Sequence, residues 1–410
     1  MGGWYSKVTE KVYIVAAKRT PIGSFLGGLS SQSAVELASL TIRSALAQAE
    51  LDSTMIDEVV VGNVLGAGLG QGVGRQAAIH AEIPVTTPAY TLNMICGSGM
   101  KSILNAINSV RSGDANLVVA AGTESMSNAP FVMDGKCRQG NKMGDISMVD
   151  TMLKDGLTDA FGSFHMGITA ENIAKRYEIS REEQDEFALR SQSRAEQAIK
   201  SGCFEQEIVP VVIKSRKGES AVNLDEHPRF GTTIESLSGL RAAFDKQGSV
   251  TAGNASGLND GAVALIVACE QAVQQYGLVP LVEVVATGQG GVEPGVMGLG
   301  PIPAIKQALQ RAELELSDIQ RLELNEAFAA QAIGVMKGLS EQHQVPYDWF
   351  EDKTNVNGGA IALGHPIGAS GGRIVTSLIY EMIRSKTQLG LASLCIGGGM
   401  GTALILKRIS

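Results

Sequence analysis

The sequence is short of aromatic residues, 5% of 410, and has no apolar run long enough to span a bilayer, so neither a base-stacking surface nor a membrane segment is expected. Its five cysteines, Cys96, Cys137, Cys203, Cys269 and Cys395, are odd in number, widely spread and without CxxC spacing. That pattern argues against a disulfide framework or a zinc knuckle, and no metal site is expected. A secretory signal and an Arg-rich transit pattern are also missing, which points to a reducing, cytoplasmic setting. With 42 acidic against 34 basic residues the net charge is -8, so the chain has no overall attraction for nucleic acid or an anionic membrane. An anionic ligand needs a local basic patch. Gly2 followed by Ser6 fits the loose myristoylation signature, but no polybasic tract supports anchoring, and Arg408-Ile409-Ser410 is not a peroxisomal signal.

What is present is enough apolar material, 44% of the residues, for two or three packed domains. Short β-branched runs recur at 12–17, 58–65, 117–121, 262–268, 281–286, 322–324 and 402–406, separated by helix-like segments, the signature of layered α/β structure. Segment 33–50 follows a Ser-rich turn and sets Val35, Leu37, Ala38, Ile42, Ala45 and Leu46 at helical spacing. A faint internal echo is also visible. Ala49-Glu50-Leu51-Asp52 leads through Ile56 to the run 59–61, and Ala312-Glu313-Leu314-Glu315 leads through Ile319 to 322–324 at the same offset. Gly97 to Ile103 is echoed by Gly368 to Ile374, and 117–122 by 392–397, as two duplicated α/β halves would be. The echo breaks between about Thr123 and Asn254, a charged, turn-rich stretch with a helix over 181–200, which reads as an insertion carried by the first half. There Lys214, Arg216, Lys217 and Arg229 supply basic character beside Glu219, Asp225 and Glu226, as solvated surface or as ligand contacts.

Cys96 lies where a strand-like approach meets Gly97-Ser98-Gly99 and a helical run, so the helix dipole is expected to favour its thiolate and the glycines to admit a substrate. His365 sits in a Gly- and Pro-rich loop entering a helix near Arg373, a setting that can aim an imidazole as a base. Cys395 ends a strand and precedes Gly397-Gly398-Gly399, whose N–H groups suit an oxyanion or a phosphate. Asn325 and Glu326 follow a strand at the usual functional edge of α/β folds, though a plain helix N-cap at Asn325 explains that residue almost as well. His165-Met166-Gly167 precedes a helix expected near Thr169, and Ser256 lies in a Gly- and Asn-rich turn.

Taken together, the Cys96 segment, Asn325-Glu326-Ala327-Phe328, GGAIALGHPIGASG from Gly358, CIGGGMG from Cys395 and TAGNASGLNDGA from Thr251 resemble the motif set of the thiolase family in order and spacing. The resemblance runs from Val12 to the C-terminus. It implies an α/β thiolase fold, a duplicated, five-layered αβαβα core with an inserted loop domain. The implied division is an N-terminal half over 1–128, completed by 260–280, a CoA-binding loop domain over 129–259, and a C-terminal half over 281–410. Cys96 corresponds to the family's nucleophile, His365 to the base that takes its proton, and Cys395 to the cysteine that deprotonates the second substrate. Asn325 corresponds to the residue that holds a water in one oxyanion site, and the N–H groups of Cys96 and Gly397 to the other; Glu326 orients neighbouring loops.

The same resemblance implies that CoA lies over the loop domain, with Arg229 near the adenine, Ser256 on the pantetheine amide and His165 near the thioester. Met166 and Met297 then fill the space a longer acyl chain would need, as in the short-chain, biosynthetic subgroup. The implied reaction is the reversible condensation of two acetyl-CoA to acetoacetyl-CoA and CoA through an acetyl-Cys96 thioester, with no metal or organic cofactor. Alternatives are a degradative 3-ketoacyl-CoA thiolase of broader chain length, a decarboxylating ketosynthase-type enzyme, against which Cys395 speaks, and a non-catalytic thiolase-like carrier of CoA or lipid. The family's habit implies a homotetramer, a dimer of dimers. One departure is Ser102, where relatives more often carry alanine behind the nucleophile.

Overall fold

The computed structural model describes residues 10–409 except Lys217, so the Gly2 and Ser6 signature, Lys217 and Ser410 lie outside the described residues. The strands are β1 (Val12–Arg19), β2 (Gly23–Ser24), β3 (Glu58–Gly62), β4 (Ala89–Leu92), β5 (Leu117–Ser125), β6 (Phe131–Met133), β7 (Met148–Asp150), β8 (Val211–Ser215), β9 (Gly218–Val222), β10 (Asn259–Cys269), β11 (Val282–Gly291), β12 (Arg321–Leu324), β13 (Leu389–Ile396) and β14 (Met400–Arg408). The helices are α1 (Ala34–Gln48), α2 (Val73–His80), α3 (Ser98–Ser112), α4 (Met166–Arg176), α5 (Arg181–Lys200), α6 (Ile234–Ser238), α7 (Glu270–Tyr276), α8 (Pro301–Ala312), α9 (Ala329–His343), α10 (Ala360–Leu363) and α11 (Ile367–Ser385).

Ten strands form one continuous sheet in the order β12-β13-β14-β11-β1-β10-β5-β3-β4, with β2 paired to β10. The duplication is written into this order. In the first half β3 is parallel to β5, which is antiparallel to β10, which is antiparallel to β1. In the second, β12 is parallel to β13, and β13, β14 and β11 follow antiparallel. The halves meet through a short β1–β11 pairing, Tyr13 opposite Glu283 and Ile14 opposite Val282. The echo extends to backbone conformation, since Glu50 and Glu313, equivalent in the repeat, both end their helices with positive φ, 52° and 55°. α1 starts at Ser33, which closes a capping box with Glu36, and α5 at Ser180, which does the same with Glu183. Helix starts at 33–34 and 180–181 were therefore legible as capping signals.

α11 lies between the two halves, against β5 and β10 on one side and β12, β13 and β14 on the other, and alongside α3. Every residue from Ile367 to Met382 is buried, which is why the helix carries small and apolar residues on all its faces. α1 and α2 cover the far side of the first half, and α8, with α9 beside it, the far side of the second, completing five layers. Between α3 and α11 the backbones approach so closely that a Cβ on Gly99 would stand 2.8 Å from the Gly368 carbonyl oxygen, and one on Gly122 2.5 Å from the same atom. One on Gly371 would land on the Met100 backbone nitrogen. The neighbours there are backbone, which cannot rotate away. Gly371→Ala is therefore expected to cost about 3 kcal/mol or more, at or beyond the upper end of the usual overpacking range, measured by urea unfolding; a loss below about 1 kcal/mol would show that the crossing can spread.

Candidate active site

The C-terminal ends of β5, β12 and β13 and the N-termini of α3 and α11 converge, the edge at which α/β folds gather their reactive groups. Cys96 sits at the tip of the turn between β4 and α3. Its predecessor Ile95 has φ of 47°, an uncommon conformation for a β-branched residue, held by the Asn93 side chain on its N–H (2.9 Å) and by Ser98, whose N–H (3.0 Å) and hydroxyl (2.7 Å) donate to its carbonyl. The thiol is half-buried. Burial, with a smaller contribution from the Glu124 charge, pushes it up to about 11 against the pull of the Gly397 N–H and its own N–H. This corrects the expectation that the helix dipole would favour the thiolate, since desolvation wins at this site and the resting sulfur carries its proton.

His365 is buried just ahead of α11. Its backbone N–H donates to Asn259 Oδ1 (2.8 Å), and its Nδ1 lies 2.5 Å from Ser370 Oγ. Because the Ser370 hydroxyl donates to the Pro366 carbonyl (2.9 Å), it offers the imidazole a lone pair. Nδ1 is thus the protonated nitrogen, and Nε2 keeps a free lone pair with no partner. Burial, assisted by the Arg373 charge, pushes the imidazole down to about 3, so it is neutral at physiological pH. Cys395, at the end of β13, is buried, and its thiol is pushed far above the ordinary range first by burial and then by the facing Cys96.

Asn325 is not a helix N-cap, because α9 begins four residues later behind Phe328. Its N–H donates to Ser393 (3.0 Å), Arg373 Nη2 approaches its Oδ1 at 3.5 Å, and its Nδ2 is buried without a partner. Glu326 is a clamp, accepting from Ser191 Oγ (2.6 Å), Asn355 Nδ2 (2.8 Å) and the Ile361 N–H (3.2 Å), and a Cβ at Gly359 would collide with its carboxylate. Gly397 opens the turn between β13 and β14, where a Cβ would lie 3.4 Å from Ile95 Cγ2 and 3.6 Å from Met166 Sδ. Cys96, Cys395, Gly397 and Met166 thus belong to one locus.

His165 caps α4, whose first residue, Met166, lies three positions ahead of the expected start near Thr169; its Nδ1 accepts from the Gly167 N–H (3.0 Å) and its ring stacks on Phe244 at 4.5 Å. Met166 and Met297 are both buried in the same apolar cluster. Ser256 donates its N–H to the Ala327 carbonyl (2.9 Å), tying its loop to the segment after Asn325. Arg229 lines a separate cavity of about 210 Å³ with Gln192, His227 and Ser236. A cavity of about 480 Å³ is lined by Asn93, Ile95, Asp159, Met166 and Gly397. Lys214 is exposed and paired with Glu219 at 3.4 Å, the solvated reading of that basic stretch. Buried Ser102 turns its hydroxyl back to the Gly99 carbonyl (2.8 Å) and so is satisfied within α3. Among the described residues no group of His, Cys, Asp or Glu could hold a metal ion, and no helix is long and apolar enough to cross a membrane.

Three residues of the site went unread in the sequence. Asn259 and Ser370 fix His365, and Glu124 accepts four hydrogen bonds beside Cys96. Asn259 and Ser370 lie within the blocks that begin at Thr251 and Gly358, whereas the signal of Glu124 is only a charged residue two positions beyond a wholly apolar strand run and a glycine.

Two duplicated α/β halves that bring a protonated thiol, a neutral imidazole and a second thiol to one edge define a cysteine-dependent acyltransferase. The chain belongs to the thiolase family: the model of the thiolase N-terminal domain matches residues 12–271 and that of the thiolase C-terminal domain residues 278–408. It is 52% identical to the acetyl-CoA acetyltransferase of Cupriavidus necator over 97% of this chain and 99% of that protein, and 50% identical to the acetyl-CoA acetyltransferase of Escherichia coli K12 over the same shares. Among solved structures it superposes on acetyl-CoA acetyltransferase from Syntrophomonas wolfei with a TM-score of 0.95 at 41% identity, covering 98% of this chain and all of that one. Human mitochondrial 3-ketoacyl-CoA thiolase gives 0.93, also at 41% identity and with the same coverage.

The raised thiol and depressed imidazole predict how the free enzyme titrates. Iodoacetamide alkylation of Cys96 should climb steadily from about pH 7 to pH 10, because the thiolate fraction is still rising there. A plateau reached below about pH 7 would mean an ion pair with His365 in place of the neutral pair.

Proposed function

We propose that the protein is an acetyl-CoA C-acetyltransferase that condenses two acetyl-CoA to acetoacetyl-CoA and CoA, reversibly, through an acetyl-Cys96 thioester. The observation that carries the reading is the convergence of Cys96, Cys395 and Gly397, with the Gly397 N–H on the Cys96 sulfur and an added Cβ at Gly397 only 3.4 Å from Ile95. His365 Nε2 takes the proton of Cys96, whose sulfur adds to the thioester carbonyl of the first acetyl-CoA. The N–H groups of Cys96 and Gly397 stabilise the resulting oxyanion, and its collapse expels CoA, which leaves as the thiol with the proton of Cys395. Cys395, now the thiolate, then removes a proton from the methyl of the second acetyl-CoA and is restored as the thiol. The developing enolate oxygen is received by His365, carrying its proton on Nε2, and by a water held on Asn325 Nδ2. His365 Nε2 and Asn325 Nδ2 are both buried without a protein partner, as groups awaiting such a ligand would be. The enolate carbon attacks acetyl-Cys96, forming the new C–C bond and releasing the Cys96 sulfur. Each oxyanion donor is worth about 2.7 to 4 kcal/mol of the barrier.

CoA is placed with its adenine end near Arg229, its pantetheine amide at Ser256 and its thioester near His165, supported by the cavity at Arg229 and the stacking of His165 on Phe244. Met166 and Met297, buried together, limit the acyl chain. No metal or organic cofactor takes part, CoA being substrate and product. The division into a half over 1–128 completed by 260–280, a loop domain over 129–259 and a half over 281–410 is supported by the absence, among the described residues, of any strand of the large sheet between Ser125 and Asn259. The protein is placed in the cytoplasm, in keeping with its five free cysteines.

The test is CoA-dependent thiolysis of acetoacetyl-, 3-ketohexanoyl- and 3-ketodecanoyl-CoA. Activity should be confined to acetoacetyl-CoA and fall by on the order of a thousandfold or more in Cys96→Ala. Equal or faster turnover of the longer substrates would make the enzyme degradative, and no turnover of any would make it a carrier.

The assembly is a homotetramer, a dimer of dimers. In its support, β4 is an open edge strand and the β6–β7 hairpin exposes Phe131, Met133 and Met148, each more than half accessible. Light scattering should give a tetramer for the native protein and a dimer for the Phe131→Ser, Met133→Ser double variant; a native monomer would overturn the assignment.

A further inference from the structure

The most heavily coordinated carboxylate beside the nucleophile has no part in the steps above. Glu124, at the end of β5, is fully buried, and each of its oxygens accepts two hydrogen bonds. Oε1 takes Asn63 Nδ2 (2.9 Å) and the Leu65 N–H (3.1 Å), and Oε2 takes the N–H groups of Val64 (3.1 Å) and Gly368 (3.0 Å). The donors come from two places. Asn63, Val64 and Leu65 follow β3, and Val64 and Leu65 belong to the apolar cluster against which Ile95 and Cys96 pack. Gly368 lies in the first turn of α11, three residues beyond His365, and Ile367 belongs to that same cluster. A carboxylate at this N-terminus also answers the α11 dipole. Gly368 must be glycine for this contact, since a Cβ would fall on the Thr123 carbonyl oxygen and 2.7 Å from Glu124 Oε2.

We infer that Glu124 is a positioning residue for the acyl transfer, a charged tie that sets the His365 loop of one half against the Cys96 turn of the other. The inference rests on Cys96 and His365 being the nucleophile and its base. A tie made of two oxygens and four donors tolerates no isosteric amide: glutamine replaces one oxygen by an NH₂ group that faces two N–H donors, and so releases either Asn63 and Leu65 or Val64 and Gly368. The same buried negative charge faces the Cys96 sulfur and disfavours its thiolate. Burial remains the larger cause of the protonated thiol; it also raises the Glu124 carboxyl to about 7 against the pull of the Leu65, Val64 and Gly368 N–H groups, and four donors facing that carboxyl favour its ionised form.

Glu124→Gln and Glu124→Asp separate reach from charge. In both, kcat for acetoacetyl-CoA thiolysis should fall at least about tenfold, the scale of sub-ångström misplacement, with the KM for CoA within about twofold of native because the Arg229 cavity lies elsewhere. The ultraviolet thiolate absorbance of Cys96, taken as the difference from the same protein carrying Cys96→Ser, should appear at lower pH in Glu124→Gln. In Glu124→Asp, which keeps the charge, it should stay with the native titration. Unchanged kcat in the glutamine variant, a loss expressed in KM alone, or an unmoved titration in Glu124→Gln would overturn the inference. So would a failure of both variants to fold, which would make Glu124 a structural tie only. If native enzyme turns over no ketoacyl-CoA at all, the failure belongs to the proposed reaction; a lost or unmoved response to Glu124 in an active enzyme belongs to this inference.

Discussion

The structure depends on one close approach, the crossing of α3 and α11 between the two half-sheets. Helices separated by ordinary side chains pack about 8 to 10 Å apart, and glycine at the crossing lets them come nearer. Gly99 and Gly371 supply that proximity, and Gly122 on β5 with Gly368 lets α11 approach the sheet as closely, each with backbone atoms where a Cβ would stand. Cys96 precedes α3 and His365 precedes α11, so the distance between the helices governs the distance between the proposed nucleophile and base. Duplication made this economical. A βαβ unit that ends a strand beside a helix N-terminus, repeated and turned against itself, presents two such edges to each other.

Electrostatically the three groups proposed to react are held neutral by burial. Burial raises both cysteines and lowers His365, so the three groups at rest are thiol, thiol and imidazole. In a medium of low dielectric an uncompensated thiolate or imidazolium is costly, and charge is best created only when a substrate carbonyl is there to take it up. Buried ionic groups do surround the site. Arg373 meets Glu323 at 3.3 Å and approaches Asn325, and Arg19 is bidentate to Asp225 (2.7 and 3.0 Å) and bound to Glu207 at 2.6 Å. Glu207 and Asp225 come from the stretch inserted in the first half, Arg19 from β1, and Arg373 from α11. Charge pairs so buried lose much when one partner is removed, and they pin the insertion to the core in a single arrangement.

Two cavities lie near these residues. Arg229 and His227 line one, and in the same stretch of chain His165 stacks on Phe244. Met166 and Gly397 border the other, which also reaches Ile95. In the function proposed above, methionine at such a border limits chain length softly, since its side chain adapts to what it meets.

The sequence by itself determined the α/β class and the duplication, and it singled out Cys96, His365, Cys395 and Asn325 as the candidates for chemistry. It could do so because each rests on local chemistry or repetition: alternating apolar runs, a constant offset, glycines before a helix, a thiol or imidazole beside them. Capping residues such as Ser33 and Ser180 marked helix starts for the same reason, whereas α4 began earlier than its sequence suggested because the cap is a histidine, a residue outside the usual set. What only the tertiary structure decided is anything that depends on partners distant in the chain. Burial, which comes from the whole fold, reversed the expected pull of the α3 dipole on Cys96. The tautomer of His365 follows from Ser370 and Pro366 being one helical turn apart in a particular orientation. Glu124 gained its role only when residues 60 and 244 positions away folded back to donate to it. Hydrogen bonds of that reach leave no periodicity in the chain, because their geometry is set by packing and not by spacing.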